Sequence, residues 1–206
     1  MIQCGTVRVE MFRGAAMAPH LPALARLRIA VFRDWPYLYD GDPAYEQRYL
    51  ADFAASPDAG LAVAFDGDMP VGCSTCEPLA DAGVELRAPF RAHGIDPIRV
   101  FYFGESVLLP AYRGQGVGVA FFAEREAHAR RVSACDYAAF CSVIRPQDHP
   151  LRPPEAVPLD AFWRKRGYAP CPGLECTMRW KQVDSVDEVE NRLQFWMKPL
   201  SGAAVP

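Results

Sequence analysis

The chain lacks any apolar run near the roughly 20 residues that a membrane-spanning helix needs, and its first residues, MIQCGTVRVEMFRG, hold no apolar signal-peptide core. Both absences predict a cytoplasmic protein without a membrane partner. A basic excess is missing too. The 22 Lys and Arg against 25 Asp and Glu leave a formal net charge of −3, which offers a polyanion no attractive field, so nucleic acid is not expected as a partner. A small molecule or a protein amine suits the chain better. Zinc-type cysteine spacing is also lacking. The seven cysteines are odd in number and scattered, as in a reducing compartment. Cys73 and Cys76 form one C-x-x-C with no second pair to complete a site. They lie in MPVGCSTCEP, which reads as a strand, where an offset of three puts side chains on opposite faces. No metal is expected.

No internal repeat is visible. With 206 residues, half of them apolar and 23% charged, the chain is expected to form one globular domain over 1–206 with a substantial core. Proline, by contrast, is plentiful at 19 residues. It clusters in segments 84–98 and 145–158 (RPQDHPLRPPEAVP), which read as long ordered loops of the kind that carry function in compact domains.

The pattern of apolar residues gives the elements. Val7, Val9 and Met11 alternate with Arg8 and Glu10 as in a strand with one buried face. Leu24, Leu27, Val31 and Trp35 recur at helical spacing over 21–34, with Arg26, Arg28 and Arg33 directed elsewhere, and Pro36 ends the helix. A second helix is expected over about 43–55, with Pro43 in its first turn. LAVAFDGDMPVGCSTCEP reads as an antiparallel hairpin turning at Asp66-Gly67-Asp68. RVFYFGESVLLP, with one charge in a long apolar run, reads as a central strand buried on both faces. A helix over about 115–132 follows, then the strand DYAAFCSVIRP, the proline loop, and a short helix in PLDAFWRKR stopped by Gly167. LECTMRW and NRLQFWMK alternate and can pair across VDSVDEVE. LQFWMK can also meet a second subunit, which would make a homodimer, although pairing within its own sheet is simpler. The fold class is α+β, a mixed and mostly antiparallel sheet of about seven strands flanked by about four helices.

The chemistry concentrates in Arg113-Gly114-Gln115-Gly116-Val117-Gly118. A chain that leaves a buried strand and turns into a helix presents free backbone N–H groups and a positive dipole end to phosphate oxygens. Glycines 114, 116 and 118 allow a tight turn and close approach, and Arg113 can add charge-assisted bonds. The spacing G-x-G-x-G is neither the dinucleotide fingerprint G-x-G-x-x-G nor a P-loop, which ends in G-K-[ST]. Glu105, inside FYFGESVLL, is a candidate general base, because a desolvated carboxylate is a better proton acceptor than a solvated one. A buried carboxylate satisfied by the backbone or an Arg is the other reading of the same residue.

ESVLLPAYRGQGVG resembles motif A of the GNAT acetyltransferases, R/Q-x-x-G-x-G/A, with Arg113, Gly116 and Gly118 in the three defined positions. FWRKRGY resembles the short helix near the family's second motif, and the element order agrees over most of the chain. The resemblance implies an N-acetyltransferase that uses acetyl-CoA as co-substrate and a small-molecule or peptide amine as acceptor. It places the pantetheine along Val107, Leu108 and Leu109, the pyrophosphate on Arg113 to Gly118, and the thiol end near Phe162 and Trp163. Trp163 stands where the family usually has a tyrosine acid. Tyr168 is one replacement, Cys141 and Ser142 are weaker ones, and water can protonate a thiolate unaided because a thiol is a weak enough acid to leave easily. The loop between the first two helices, which flanks the acceptor site in such folds, carries Trp35, Tyr37 and Tyr39 with Phe32 and Tyr45 nearby, interleaved with Asp34, Asp40 and Asp42. Aromatic faces and carboxylates suit a cation. Arg145, Asp148 and His149 in the proline loop form a second polar group, with His149 a candidate proton relay or substrate contact. The departure at Trp163 also leaves room for a non-catalytic module that binds acyl-CoA and reports it to a partner.

Overall fold

A computed structural model describes residues 1–201. It shows one eight-stranded sheet in the order β1-β2-β3-β4-β5-β6-β8-β7. The strands are β1 (Ile2–Cys4), β2 (Val7–Arg13), β3 (Gly60–Asp66), β4 (Met69–Pro78), β5 (Val100–Leu108), β6 (Tyr137–Val143), β7 (Ala169–Lys181) and β8 (Glu188–Pro199). Every neighbouring pair is antiparallel except β5 and β6, which run parallel. The helices are α1 (Leu21–Phe32), α2 (Pro43–Ala55), α3 (Val84–Ala92), α4 (Val117–Val132) and α5 (Asp160–Arg164). The expected α+β class and mixed, mostly antiparallel sheet are present, with one more strand and one more helix than the sequence pattern indicates.

The added strand is β1, only three residues long, which is too short for an alternation to show. The added helix is α3, inside a segment expected as loop. Pro89 within α3 lacks the N–H for a helical bond. Leu86 and Phe90, one turn apart, are nonetheless buried, and Glu85 in the first turn and Arg91 in the last match the helix dipole. Burial of a Leu and a Phe, about 1.5–3 kcal/mol each, outweighs the proline here.

The sheet separates two helical layers. On one face Leu24 and Leu27 of α1 and Leu50 and Phe53 of α2 pack with Leu61, Cys73 and Val107 of the sheet. Leu86 and Phe90 of α3 pack with Tyr102, Leu193 and Phe195 in a cluster that shares Trp180 with the first. On the other face Ala120, Phe121 and Phe122 of α4 meet Val7, Val9, Phe101 and Phe103. Cys73 and Cys76 fall in clusters on opposite faces, as the strand offset requires. β8 lies between β6 and β7, paired along both sides. LQFWMK is therefore satisfied within its own sheet and presents no edge to a second subunit.

Candidate active site

β5 supplies the centre of the site through a bulge. Its pairing with β4 runs from Gly72 opposite Leu108 to Ser74 opposite Ser106, then resumes with Cys76 opposite Phe103, so β5 holds one residue more than β4 between these points. An extra residue breaks the alternation of side chains. Phe101 and Phe103 therefore face α4, whereas Glu105 and Val107 face α1 and α2. The Glu105 N–H donates to Thr75 Oγ1 at 3.2 Å and its carbonyl accepts from Ser74 Oγ at 2.9 Å, which fixes the bulge.

The Glu105 side chain is 3% exposed, so its charge needs a partner. Arg28 of α1 provides it: Nη1 donates to Glu105 Oε2 at 2.5 Å, and Nε donates to Oε2 of the fully buried Glu46 of α2. This corrects the expectation that Arg28 points away from the core. It stands one turn after Leu24, on the apolar stripe itself. Burial alone would lower the basicity of Arg28, but the charges of Glu105 and Glu46 outweigh that and hold its pKa above the ordinary value. Its guanidinium also lies 4.3 Å over the Tyr49 ring. Tyr49 OH donates to Glu105 Oε2 at 3.2 Å, and Tyr39 OH donates to Glu46 Oε1 at 3.0 Å. Burial first, and then the adjacent Glu105, push the Tyr49 phenol well above its usual pKa, so it stays a neutral donor. One oxygen of this network is left over. Glu105 Oε1 is buried and finds no hydrogen-bond partner among the described residues.

Glu77 of β4, opposite Tyr102, adds a third carboxyl near Glu105. Burial, then the charges of Glu105 and Asp81, push its pKa up to about 8. Sequence reasoning passed over Arg28, Glu46, Tyr49 and Glu77. For the first three the signal was helical spacing that puts polar groups on a buried stripe.

The parallel pair β5 and β6 is in register only at Val100–Tyr102 with Tyr137–Ala139. Beyond these residues the strands part, leaving backbone groups on the facing edges of Phe103–Leu108 and Phe140–Val143 unpaired by the ladder. Cys141, whose Sγ lies 3.1 Å from Tyr102 Oη, and Ser142, whose Oγ accepts from Trp196 Nε1 at 3.1 Å, are on the β6 side of this gap. The glycine turn follows β5 directly. Gly116 has φ 88°, which only glycine adopts without strain, and caps α4. The first amides of the helix to bond are Val119 and Ala120, both to the Gly116 carbonyl, and no acceptor for the N–H groups of Gly114 to Gly118 is found among the described residues. Arg113 Nε donates to the Leu108 carbonyl at 3.3 Å, holding its guanidinium beside the turn. A Cβ on Gly118 would meet Phe162 Cζ at 3.2 Å, so this position is small because α5 lies on it. Free amides, a dipole end and an arginine at the mouth of a gap between strands fit a pyrophosphate-bearing ligand whose chain runs into the gap.

The two candidate acceptor loops meet. Trp35 and His149 stack edge to face at 5.3 Å, and Arg145 donates to the carbonyls of Pro36 at 2.7 Å and Tyr37 at 3.0 Å. The Tyr37 ring packs between Phe32 and Trp180, the Tyr39 hydroxyl is taken by Glu46, and His149 Nδ1 accepts from Leu151 N–H. Tyr168 lies apart from all of these. It is 2% exposed among Phe103, Phe122 and Phe140 on the α4 face, and its hydroxyl donates to Glu126 Oε1 at 3.2 Å. The sheet separates it from Glu105, so the structure does not bring these two catalytic candidates together. Trp163, partly buried, meets Phe140 at a tilt and Trp196 edge to face at the margin of the α4-side core. A groove of about 450 Å³ between α3 and β7 is lined by Glu85, His93 and Thr177 among others.

Solved structures share this architecture. The ribosomal-protein-alanine N-acetyltransferase of Brucella melitensis superposes with a TM-score of 0.58 at 14% identity over 92% of this chain and 99% of its own. The yncA protein of Salmonella typhimurium, solved with its cofactor acetyl-CoA, gives 0.59 at 13% identity over 98% of each chain. An N-acetyltransferase of Staphylococcus aureus Mu50 gives 0.58 at 9% identity over 94% of this chain and 99% of its own. At such identities the likeness establishes the fold. No curated protein matches the chain. No helix among the described residues is long and apolar enough to cross a membrane. The family model described as the acetyltransferase (GNAT) family matches residues 25–152, more than half of the sequence, and the chain belongs to that family.

Proposed function

We propose that the protein is an acetyl-CoA-dependent N-acetyltransferase that moves an acetyl group to a primary amine by direct attack in a ternary complex. The observation that carries this reading is the parting of β5 and β6 after three paired residues, with the unbonded amides of Gly114 to Gly118 at the mouth of the gap. In this reading the amides of Gly114 to Gly118 and Arg113 hold the pyrophosphate, and the free edge of Val107, Leu108 and Leu109 orients the pantetheine. Phe162 and Trp163 close the α5 side. Bound acetyl-CoA supplies a thioester whose carbonyl carbon accepts the amine. In this reading a reactant passes where the strands part and meets Glu105 from the α1 side.

An amine attacks only when neutral, so one proton must leave it. Glu105 Oε1 takes that proton, directly or through a water, while Arg28 and Tyr49 hold Oε2 and keep the carboxylate oriented. Water protonates the departing thiolate, with Cys141 on the β6 edge as the side-chain alternative. Trp35, Tyr37, Tyr39 and His149 belong to the loop pair that shapes the acceptor side, with Arg145 tying the loops together. All seven cysteines are free, which suits the reducing cytoplasm, the location this reading assigns. Release of CoA thiol on mixing with acetyl-CoA and an amine tests the proposal. A non-catalytic acyl-CoA sensor, favoured by Trp163 at the family's tyrosine position, binds the cofactor and releases no thiol with any amine.

A further inference from the structure

The carboxyl groups around Glu105 outnumber the cations available to them. Glu46, Glu77, Glu105 and Asp81 cluster under α1 and α2, and the guanidinium that pairs with them, Arg28, is already divided between Glu46 and Glu105. Asp81 accepts from Ser56 Oγ at 2.7 Å. The Glu77 side chain makes no hydrogen bond or ion pair within the described residues, although it is partly buried and the charges that act on it are two further carboxyls. The second observation is independent of the cluster's acidity: Glu105 Oε1, on a side chain only 3% exposed, has no partner. An unpaired buried acceptor beside surplus carboxyls is costly unless a cationic donor fills the site in use.

We infer that the acceptor carries two ammonium groups, the reacting one at Glu105 Oε1 and a second held by Glu77, so the substrate class is a short linear diamine without a carboxylate. This rests on the acetyltransferase reading and narrows its substrate. Glu77 faces Tyr102, and Glu105 lies three residues farther along β5, one of them absorbed by the bulge. With strands about 4.8 Å apart and a rise of about 3.3 Å per residue, the two attachment points are about 8 Å apart, a span that two ammonium groups on a short alkyl chain can bridge. An acceptor carboxylate would meet Glu46, Glu77, Glu105 and Asp81, and the Arg28 guanidinium beside them is already engaged by two of these. The stacked rings of Tyr45 and Tyr49, parallel to within 6°, wall the α2 side and suit an alkylammonium.

The groups around Glu77 are Tyr49 on α2, Cys76 on its own strand, Tyr102 and Glu105 on β5, and Asp81 beyond β4. Arg28, the cation behind Glu105 and Tyr49, is bonded to Glu105 and Glu46 and makes no ion pair with Glu77. Glu77 is therefore largely protonated at pH 7 in the free protein and ionises when the second ammonium arrives, releasing a proton.

The test is calorimetric titration of the CoA-loaded full chain with 1,4-diaminobutane, 1-aminobutane and 4-aminobutanoate at pH 7 in buffers of different ionisation enthalpy. The diamine is expected to bind at least about tenfold tighter than the monoamine, with net proton release, and the amino acid weakest. Glu77→Gln, its folding checked by its thermal transition, brings the diamine to within about twofold of the monoamine and removes the proton release. Equal affinities for diamine and monoamine in the unaltered protein overturn the inference without reference to any variant. Thiol release with the same three compounds separates the two levels. Release without diamine preference sinks this inference and spares the enzyme, whereas diamine preference without release does the reverse.

Discussion

Replacement of Glu105 by Gln separates catalysis from structure at the centre of the site. The amide keeps the shape of the side chain and an oxygen that can accept from Arg28 Nη1, but it cannot take a proton. Arg28 retains its bond to Glu46, so the change weakens one charge-assisted hydrogen bond instead of stranding a buried cation. The expected stability loss is about 1–2 kcal/mol, a fall of a few degrees in Tm for a domain of this size. The kinetic loss should be much larger. Removal of a general base costs about 10²–10⁴ in rate where the amine is protonated. The deficit should shrink as pH rises towards the amine's own pKa, about 10.4 for a lysine-like group. The assay is CoA thiol release at saturating acetyl-CoA from pH 6.5 to about 10, with thermal melts of both proteins. A rate deficit that is constant across pH, or no larger than the loss of folded protein, would show that Glu105 serves only to neutralise Arg28.

Three further outcomes follow from other parts of the structure. Gly116→Val places a β-branched residue at φ 88°, which costs at least about 1–2 kcal/mol and disturbs the amides ahead of α4; acetyl-CoA affinity measured by calorimetry should drop more than about tenfold, and an unchanged Kd would remove the turn from cofactor binding. Tyr168→Phe deletes the bond to Glu126 on the far face of the sheet, so denaturant melts should show a loss of about 1 kcal/mol while kcat stays within about twofold; a collapse of kcat with its pH profile altered would restore Tyr168 as the acid. Glu77 holds its proton more tightly when folded than when unfolded, with a pKa about 8 against the ordinary 4.5. Its contribution to stability is therefore complete below pH 4.5 and declines as pH rises through about 8. Urea melts across that window should show the decline in the native protein and a flatter curve for Glu77→Gln, and identical curves would refute the burial of that carboxyl.

The periodicity of the sequence carried most of the fold because each face of the sheet is buried under a helix, so alternation and helical stripes were both strong. It missed β1 because three residues hold no period, and α3 because Pro89 reads locally as loop while the packing of Leu86 and Phe90 is tertiary. The glycine turn was legible since its demands are local: a tight backbone, free amides and a neighbouring arginine. The environment of Glu105 was not, because it depends on a bulge in β5 and on residues 28, 46, 49 and 77, brought together from three other elements. Arg28 illustrates the limit. Its charge argued for solvent while its spacing from Leu24 argued for the core, and the two carboxylates that decide the matter lie 18 and 77 residues away.

The measurement closest to the central claim is calorimetry with acetyl-CoA followed by thiol release over a panel of monoamines and diamines. The structure predicts that acetyl-CoA binds and that thiol appears only when an amine is present. Tight binding with no release for any amine would make the protein a sensor on an acetyltransferase scaffold, and failure to bind acetyl-CoA would contradict the role given to Gly114–Gly118 and to the gap between β5 and β6.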